Sequence, residues 1–446
     1  MTVRAEAQRL RVRLGVGVMW SLAATAFTQG STFVANIVVA RLLGQERFGQ
    51  FAIVLSTLLA LAMIAQLGLG ATATRHVAEY RMRDPFRAGR LIGLLMLIST
   101  AMGLFAAALM MLGAPLLATA VFSAPELTAT LRLGALHVAF ASMAGTPLGV
   151  LAGLEGYRAL ARATAVSSIL YIGACTVGAA FFGLNGAVAG LGVGGLAQFG
   201  ALLFAQRHET RRAGLPIRYR GVRGELDAIG GYAIPAAISG YISIPALWWG
   251  NAVLARQSDG FTELALYNAA WSFRTLILVV PHNVNRVAGS VLYSQEGAGE
   301  HPGFRRVFWA NVAFCAGFVV LAGGVVALLG RPLLGLYGPG FRAGRPVLYL
   351  LLCSGLLEGV GIALYQLIQA RKRMWLSTIA VALPSYAAFV VAATLLAPPY
   401  GAVGLGGASI IGQAVMLAAL AILAFGGGLR APAWTPPPAS PYSVPQ

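Results

Sequence analysis

Three ionisable side chains stand where a long apolar sequence gives them no water. They are Arg274 and Arg286 in the apolar run 263–290, and Glu358 in the run 345–369. Holding such a charge inside a membrane span costs about 2.5–3.5 kcal/mol on insertion scales, so these positions default to a functional or paired role. A guanidinium makes two parallel hydrogen bonds to phosphate oxygens, so the arginines suit a phosphorylated ligand. Glu358 suits an ion pair with Arg274 or a proton or sodium site, and the sequence leaves these open. Successive residues turn by about 100° along a helix. Tyr267, Arg274, Pro281 and Asn285 then share one face, with Asn268, Thr275, His282 and Arg286 in the adjacent row. Gln29 and Asn36 mark a second polar face near the start of the chain, and Asn251 a third. Their amides suit sugar hydroxyls, or hydrogen bonds between helices.

The elements that must position these groups are apolar helices. Of 446 residues, 58% are hydrophobic and 10% charged, with a mean hydropathy of +0.75. A soluble domain carries about 25% charged residues, so this chain cannot cover a water-facing surface. A spanning helix needs about 20 apolar residues. Twelve such runs are read, near 14–40, 48–70, 90–112, 130–152, 160–182, 186–205, 230–255, 263–290, 307–329, 345–369, 375–396 and 401–425. The first is too long for a cleaved signal core and is read as a retained helix. The fold class is all-α and integral to the membrane, with about 12 transmembrane helices.

The domain reading is an N-terminal six-helix lobe over 1–205, a cytoplasmic linker over 206–229 and a C-terminal six-helix lobe over 230–429. A Pro-rich tail over 430–446 is read as disordered and cytoplasmic. The net charge of +18 is distributed by topology. Of 32 Lys and Arg residues, 23 fall on the side of the amino terminus, 6 on the other and 3 within spans. Basic loops lie inside, so both termini are cytoplasmic. A topology signal of this kind gives no support for a nucleic-acid partner. Asn36-Ile-Val-Val-Ala-Arg41 matches Asn251-Ala-Val-Leu-Ala-Arg256 at an offset of 215, which also pairs Tyr171 with Tyr386 and Gln198 with Gln413. The lobes are therefore read as repeats related by a pseudo-twofold along the membrane normal, with substrate held between them. Gly186, Gly190 and Gly194 form a small-residue row for close helix packing.

Ala40-Arg-Leu-Leu-Gly-Gln-Glu-Arg-Phe-Gly-Gln-Phe51, Gly68-Leu-Gly-Ala-Thr-Ala-Thr-Arg75 and Val77-Ala-Glu-Tyr-Arg81 resemble the amino-terminal third of polysaccharide-transporter proteins. Leu266-Tyr-Asn-Ala-Ala270 is similar to that family's eighth helix, and Gly401-Ala-Val-Gly404 to its last interhelical turn. The family comprises O-antigen and exopolysaccharide flippases, within the superfamily that includes multidrug extruders and the peptidoglycan-precursor flippase. The resemblance implies two six-helix lobes around a cavity lined chiefly by helices 1, 2, 7 and 8. It implies a polyprenyl-pyrophosphate-linked oligosaccharide, such as an O-antigen or exopolysaccharide repeat unit, carried across the bacterial inner membrane by alternating access through a cationic cavity. Arg274, Arg286, Asn36, Asn251, Gln29 and Asn285 are the substrate-binding candidates, and Glu358 the coupling or ion-pair candidate. Membrane lipids, a coupling proton or sodium ion, and the glycosyltransferases and polymerase of the same pathway are the other expected partners.

Two alternatives stay open. A drug/cation antiporter of the same superfamily would use buried acids, whereas this chain sets one buried acid, Glu358, against the two arginines of the run 263–290. A membrane glycosyltransferase, polymerase or ligase would need catalytic groups in a large outer loop, and the longest outer segment, about 113–129, offers only Glu126. No enzyme activity, cofactor or metal is expected. Cys175, Cys315 and Cys353 sit in apolar runs without metal-ligand spacing, and the single lysine, Lys372, follows no glycine loop. The topology makes a firm prediction. With the native cysteines replaced, single cysteines at residues 2, 215 and 440 should resist an impermeant maleimide in intact spheroplasts and react after permeabilisation. Strong labelling from outside at any of them reverses the assignment.

Overall fold

Long apolar helices need few residues to end them, and here glycines and short polar turns do most of that work. In chain order the helices are α1 (Thr2–Leu43), α2 (Gln45–Ala65), α3 (Leu69–Tyr80), α4 (Pro85–Leu116), α5 (Leu127–Gly153) and α6 (Tyr157–Arg212). They continue as α7 (Ser243–Ala255), α8 (Gly260–Gln295), α9 (Pro302–Leu328), α10 (Gly330–Gly335), α11 (Arg345–Ala370) and α12 (Leu383–Phe425). The computed structural model describes residues 2–225, 242–295, 302–370 and 378–425, excepting the side chains of 2–18, 21, 223–224, 286–295, 302–305, 307, 367–370 and 425. No strand occurs among the described residues. The Pro-rich tail and the side chain of Arg286 lie outside the described residues.

Nine of the described helices are long and apolar enough to cross a membrane. Two of the nine, α6 and α12, fold back on themselves, at Gly183 (φ 59°, ψ −138°) and Gly401 (φ 56°, ψ −134°). An L side chain rarely adopts this left-handed backbone. Each glycine thus turns one apolar segment into a hairpin of two. The remaining expected span, 230–255, is described only from residue 242 onward.

The small-residue row keeps those hairpins tight. A Cβ on Gly186 would lie 2.0 Å from the Gly178 carbonyl oxygen, and one on Gly190 would lie 2.5 Å from that of Ala174. The carboxy-terminal hairpin repeats the arrangement, with Gly404 against Leu396 and Gly412 against Phe389. Gly194 meets Tyr171 in the same way. The equivalent pairs, Gly186 with Gly404, Gly194 with Gly412 and Tyr171 with Phe389, are each 218 residues apart. This corrects the offset of 215 for the last two helices of the repeat. The Tyr171 to Tyr386 match is out of structural register by three residues.

The sixth helix runs on to Arg212, past the expected end at 205. The segment after it lies along the start of α4 rather than standing free. Arg218 N–H donates to the Gly89 carbonyl at 3.3 Å. Buried Glu225 accepts from Arg87 Nε at 2.9 Å and Arg90 Nη2 at 3.1 Å. The basic stretch 75–90 covers the end of the amphipathic helix α3, whose Leu69, Ala73 and Val77 are buried, a turn, and the start of α4, where Asp84 caps the helix by accepting from Arg87 N–H at 2.9 Å. Gly186→Leu should prevent the α6 hairpin from closing. Overpacking costs about 1–3 kcal/mol where a side chain can give way. Here the obstacle is backbone, so a large fall in the thermal midpoint of purified protein is expected, while Gly200→Leu, with open space around it, should leave it near wild type.

Candidate functional site

The helices that meet at the centre of the molecule are α1, α2, α7 and α8, and a cavity of about 440 Å³ lies between them. Phe33, which lines it, belongs to a cluster of five aromatic rings from both lobes. Phe33 of α1 and Phe48 of α2 meet Phe273 of α8 together with Tyr337 and Phe341, with centroid separations of 5.2–6.4 Å. Beside this cluster the backbones come closer still, since a Cβ on Gly49 would fall 1.7 Å from the Phe261 carbonyl oxygen. Arg41 Nε donates to the Leu336 carbonyl at 2.5 Å, tying α1 to the segment after α10.

The cavity wall is neutral. Gln29, Asn36 and Asn251 all line it, so three of the six expected binding residues come together from two lobes. Asn36 and Asn251, the pair matched in the sequence, line it from α1 and α7. From α8 the wall takes Tyr267, Asn268 and Thr275. Asn268 Nδ2 donates to the Leu264 carbonyl at 3.0 Å, and Thr275 Oγ1 to that of Trp271 at 2.9 Å. No Lys, Arg, Asp or Glu lines the cavity among the described residues. Arg274, expected in the wall, is not part of it, because its guanidinium points elsewhere, and the side chain of Arg286 lies outside the described residues.

Arg274 is buried on the far side of Trp271. Its guanidinium lies 4.2 Å from the centroid of the Trp271 ring, donates from Nε to Ser354 Oγ at 3.1 Å, and forms an ion pair with Glu358. A second, smaller cavity of about 30 Å³ reaches Arg274 between α7, α8 and α12, and Trp271 and Leu247 line both cavities. Glu358 has a further neighbour, His282 Nε2, 3.5 Å from its second oxygen. Asn285 is engaged between helices: its Nδ2 donates to the Ile362 carbonyl at 3.0 Å and its Oδ1 accepts from Asn311 at 2.9 Å.

The sequence reading missed both tryptophans of the wall. Trp248 Nε1 donates to Thr57 Oγ1 at 2.9 Å and its ring faces the cavity, while Trp271 stacks on Tyr267 at 5.8 Å. Spacing held the signal for Trp271, which lies four residues after Tyr267 and three before Arg274. An aromatic residue in an apolar run gives no other sign.

A polytopic helical protein with a cavity between two sets of helices has the architecture of a membrane transporter, and solved structures share the fold. The chain is similar to an inward-facing multidrug resistance MATE family transporter of the MOP superfamily, with TM-score 0.67 and 17% identity over 92% of this chain and 95% of that one. It is also similar to the lipid II flippase MurJ in an inward closed conformation, with TM-score 0.70 and 14% identity over 91% of this chain and 87% of that one. Among curated proteins it is 25% identical over 406 residues to the EPS I polysaccharide export inner membrane protein EpsE of Ralstonia nicotianae, covering 91% of this chain and 90% of that protein. EpsE of Ralstonia solanacearum is 24% identical over 413 residues, with the same coverage. The family profile described as polysaccharide biosynthesis protein matches residues 14–293, well over half of the chain. The protein belongs to that family.

Removing one partner of a buried ion pair is strongly destabilising, by about 3–5 kcal/mol, whereas replacing both with apolar groups is often neutral. Arg274→Ala should therefore lower the thermal midpoint of the purified protein markedly. The double change Arg274→Met/Glu358→Leu should recover most of the loss.

Proposed function

We propose that the protein is a flippase for a polyprenyl-pyrophosphate-linked oligosaccharide, an O-antigen or exopolysaccharide repeat unit, carried from the cytoplasmic to the outer leaflet of the bacterial inner membrane by alternating access. The observation that carries this reading is the wall of the 440 Å³ cavity, built from amides, hydroxyls and two tryptophans with no charged residue among those described. Amides donate to and accept from sugar hydroxyls, and an indole face packs on the C–H face of a sugar ring. A cationic drug would instead call for a carboxylate, and the described wall has none, so the cavity favours a glycan over the cargo of a drug/cation antiporter. The curated relatives named for polysaccharide export support the same class of cargo, and the lipid II flippase shares the fold.

With the basic loops cytoplasmic, the aromatic cluster lies at the outer end, and the cavity is the glycan's inner-side docking site. Both termini are cytoplasmic on this reading. Glycosyltransferases would deliver the cargo to the inner leaflet, and a polymerase would remove it from the outer one. The chain itself does no covalent chemistry.

The test is reconstitution of the purified protein in liposomes carrying a fluorescent polyprenyl-pyrophosphate disaccharide, with flipping read by loss of accessibility to a membrane-impermeant quencher. A single hydrogen bond contributes about 1 kcal/mol, or about fivefold in affinity. Asn36→Ala and Asn251→Ala should each weaken the half-saturating probe concentration by about that factor, and the double variant by more. Failure of the wild-type protein to move the probe, with transport of a cationic dye instead, removes the glycan reading.

A further inference from the structure

The first turns of α4 must stand outside the hydrocarbon. A span needs about 20 residues, and α4 has 32, with no charged residue after Arg90. Phe86, Arg87 and Arg90 therefore lie at the depth of lipid headgroups. The fold lays the segment after α6 across these same turns. Gly89 and Gly93 make room for it: a Cβ on Gly89 would lie 1.9 Å from the Pro216 carbonyl oxygen, and one on Gly93 2.1 Å from that of Arg218. Two basic segments far apart in the chain become one surface. Residues 75–90 and 213–225 together hold eight arginines and three acids.

Glu225 is buried between Arg87 and Arg90, so one carboxylate answers two guanidiniums and a positive charge is left over. Arg218 lies 4.9 Å from the centroid of the Phe86 ring, which belongs to the other segment. Arg83, Arg218 and Arg220 are all exposed, and no acid pairs with them among the described residues. Between them stand large apolar side chains: Met82 is 85% exposed, Phe86 53% and Tyr219 54%. At headgroup depth one environment suits both kinds of group. Apolar side chains enter the boundary of the acyl chains, and guanidiniums bond phosphate oxygens. We propose that the start of α4 and the segment laid across it form a binding site for the headgroup of an anionic phospholipid. Excess positive charge favours an anionic headgroup, whereas a zwitterionic one brings its own cation to the phosphate. The bound headgroup bridges α4 and the segment from outside, as Glu225 does from within. None of the residues lining the large cavity comes from α4, so this site is separate from the glycan's.

The test titrates delipidated full-length protein, in a neutral detergent, with phosphatidylglycerol or with phosphatidylcholine of the same acyl chains. Phosphatidylglycerol should raise the thermal midpoint by several degrees, and native mass spectrometry should find at least one molecule retained. Phosphatidylcholine should do neither. For the wild-type protein the gain should fall by at least half in about 1 M NaCl, where screening cuts the reach of a charge to about 3 Å. It should fall as far in Arg83→Gln/Arg218→Gln/Arg220→Gln. It should survive in Arg132→Gln/Arg256→Gln/Arg331→Gln, which removes the same charge from exposed positions elsewhere. Equal stabilisation by phosphatidylcholine, an unchanged gain at high salt or in the first triple variant, or an equal loss in the second overturns the proposal. So does an equal gain from inorganic phosphate or pyrophosphate, which would make this a site for a free anion and not for a lipid.

Discussion

A guanidinium buried among apolar helices has to be neutralised, and much of the cavity's shape follows from how this chain does it. Arg274 is matched by Glu358 and Ser354 of α11 and covered by Trp271 of its own helix. That set fixes the rotation of α8. With Arg274 turned toward α11, Asn268, Trp271 and Thr275 on the neighbouring strips face the space between the lobes. The neutral wall and the buried charge are two consequences of one rotation. A helix turned the other way would bring a cation into the cavity and leave Glu358 with only a half-exposed imidazole.

The same constraint explains what could be read beforehand. Composition and charge alternation carried the membrane class, because the bilayer forces long apolar helices and basic inner loops. Asn36 and Asn251 were legible as a pair through the repeat, and they do meet in one cavity. The direction of Arg274 was not legible. A helical wheel orders side chains around one axis but does not say which neighbouring helix lies at each angle. Asn285 shares the arginine's face and faces α9 and α11 rather than the cavity. Trp248 and Trp271 were hidden for another reason, since an indole among valines and leucines reads as ordinary packing until a void is seen beside it.

The repeat also shows where pattern matching slips. The sequence matches at an offset of 215, yet the contacts of the final hairpins correspond at 218. Three residues of difference nearly complete one helical turn, so small residues still match small residues in either frame. Only the backbone contacts distinguish the two. Gly178 and Leu396 each offer a carbonyl to the glycine that follows the turn, and that contact requires the glycine at that position alone.

Symmetry of fold is not matched by symmetry of charge. In either frame the N-terminal counterparts of Arg274 are Leu59 or Ser56, those of Glu358 are Met143 or Phe140, and those of His282 are Leu67 or Ile64. One lobe therefore holds a polar cluster in its interior while the other packs uncharged side chains at the same places. Both lobes supply amides to the cavity, Asn36 from one and Asn251 from the other, so a neutral ligand meets similar chemistry on its two sides. A charged ligand does not. Any force that depends on charge, whether from a proton or from the membrane potential, acts on α8 and α11 without an equal action on their N-terminal counterparts. The buried ion pair of this region thus lies on the C-terminal side, at α8 and α11, while on the N-terminal side Glu225, Arg87 and Arg90 hold the segment after α6 along α4.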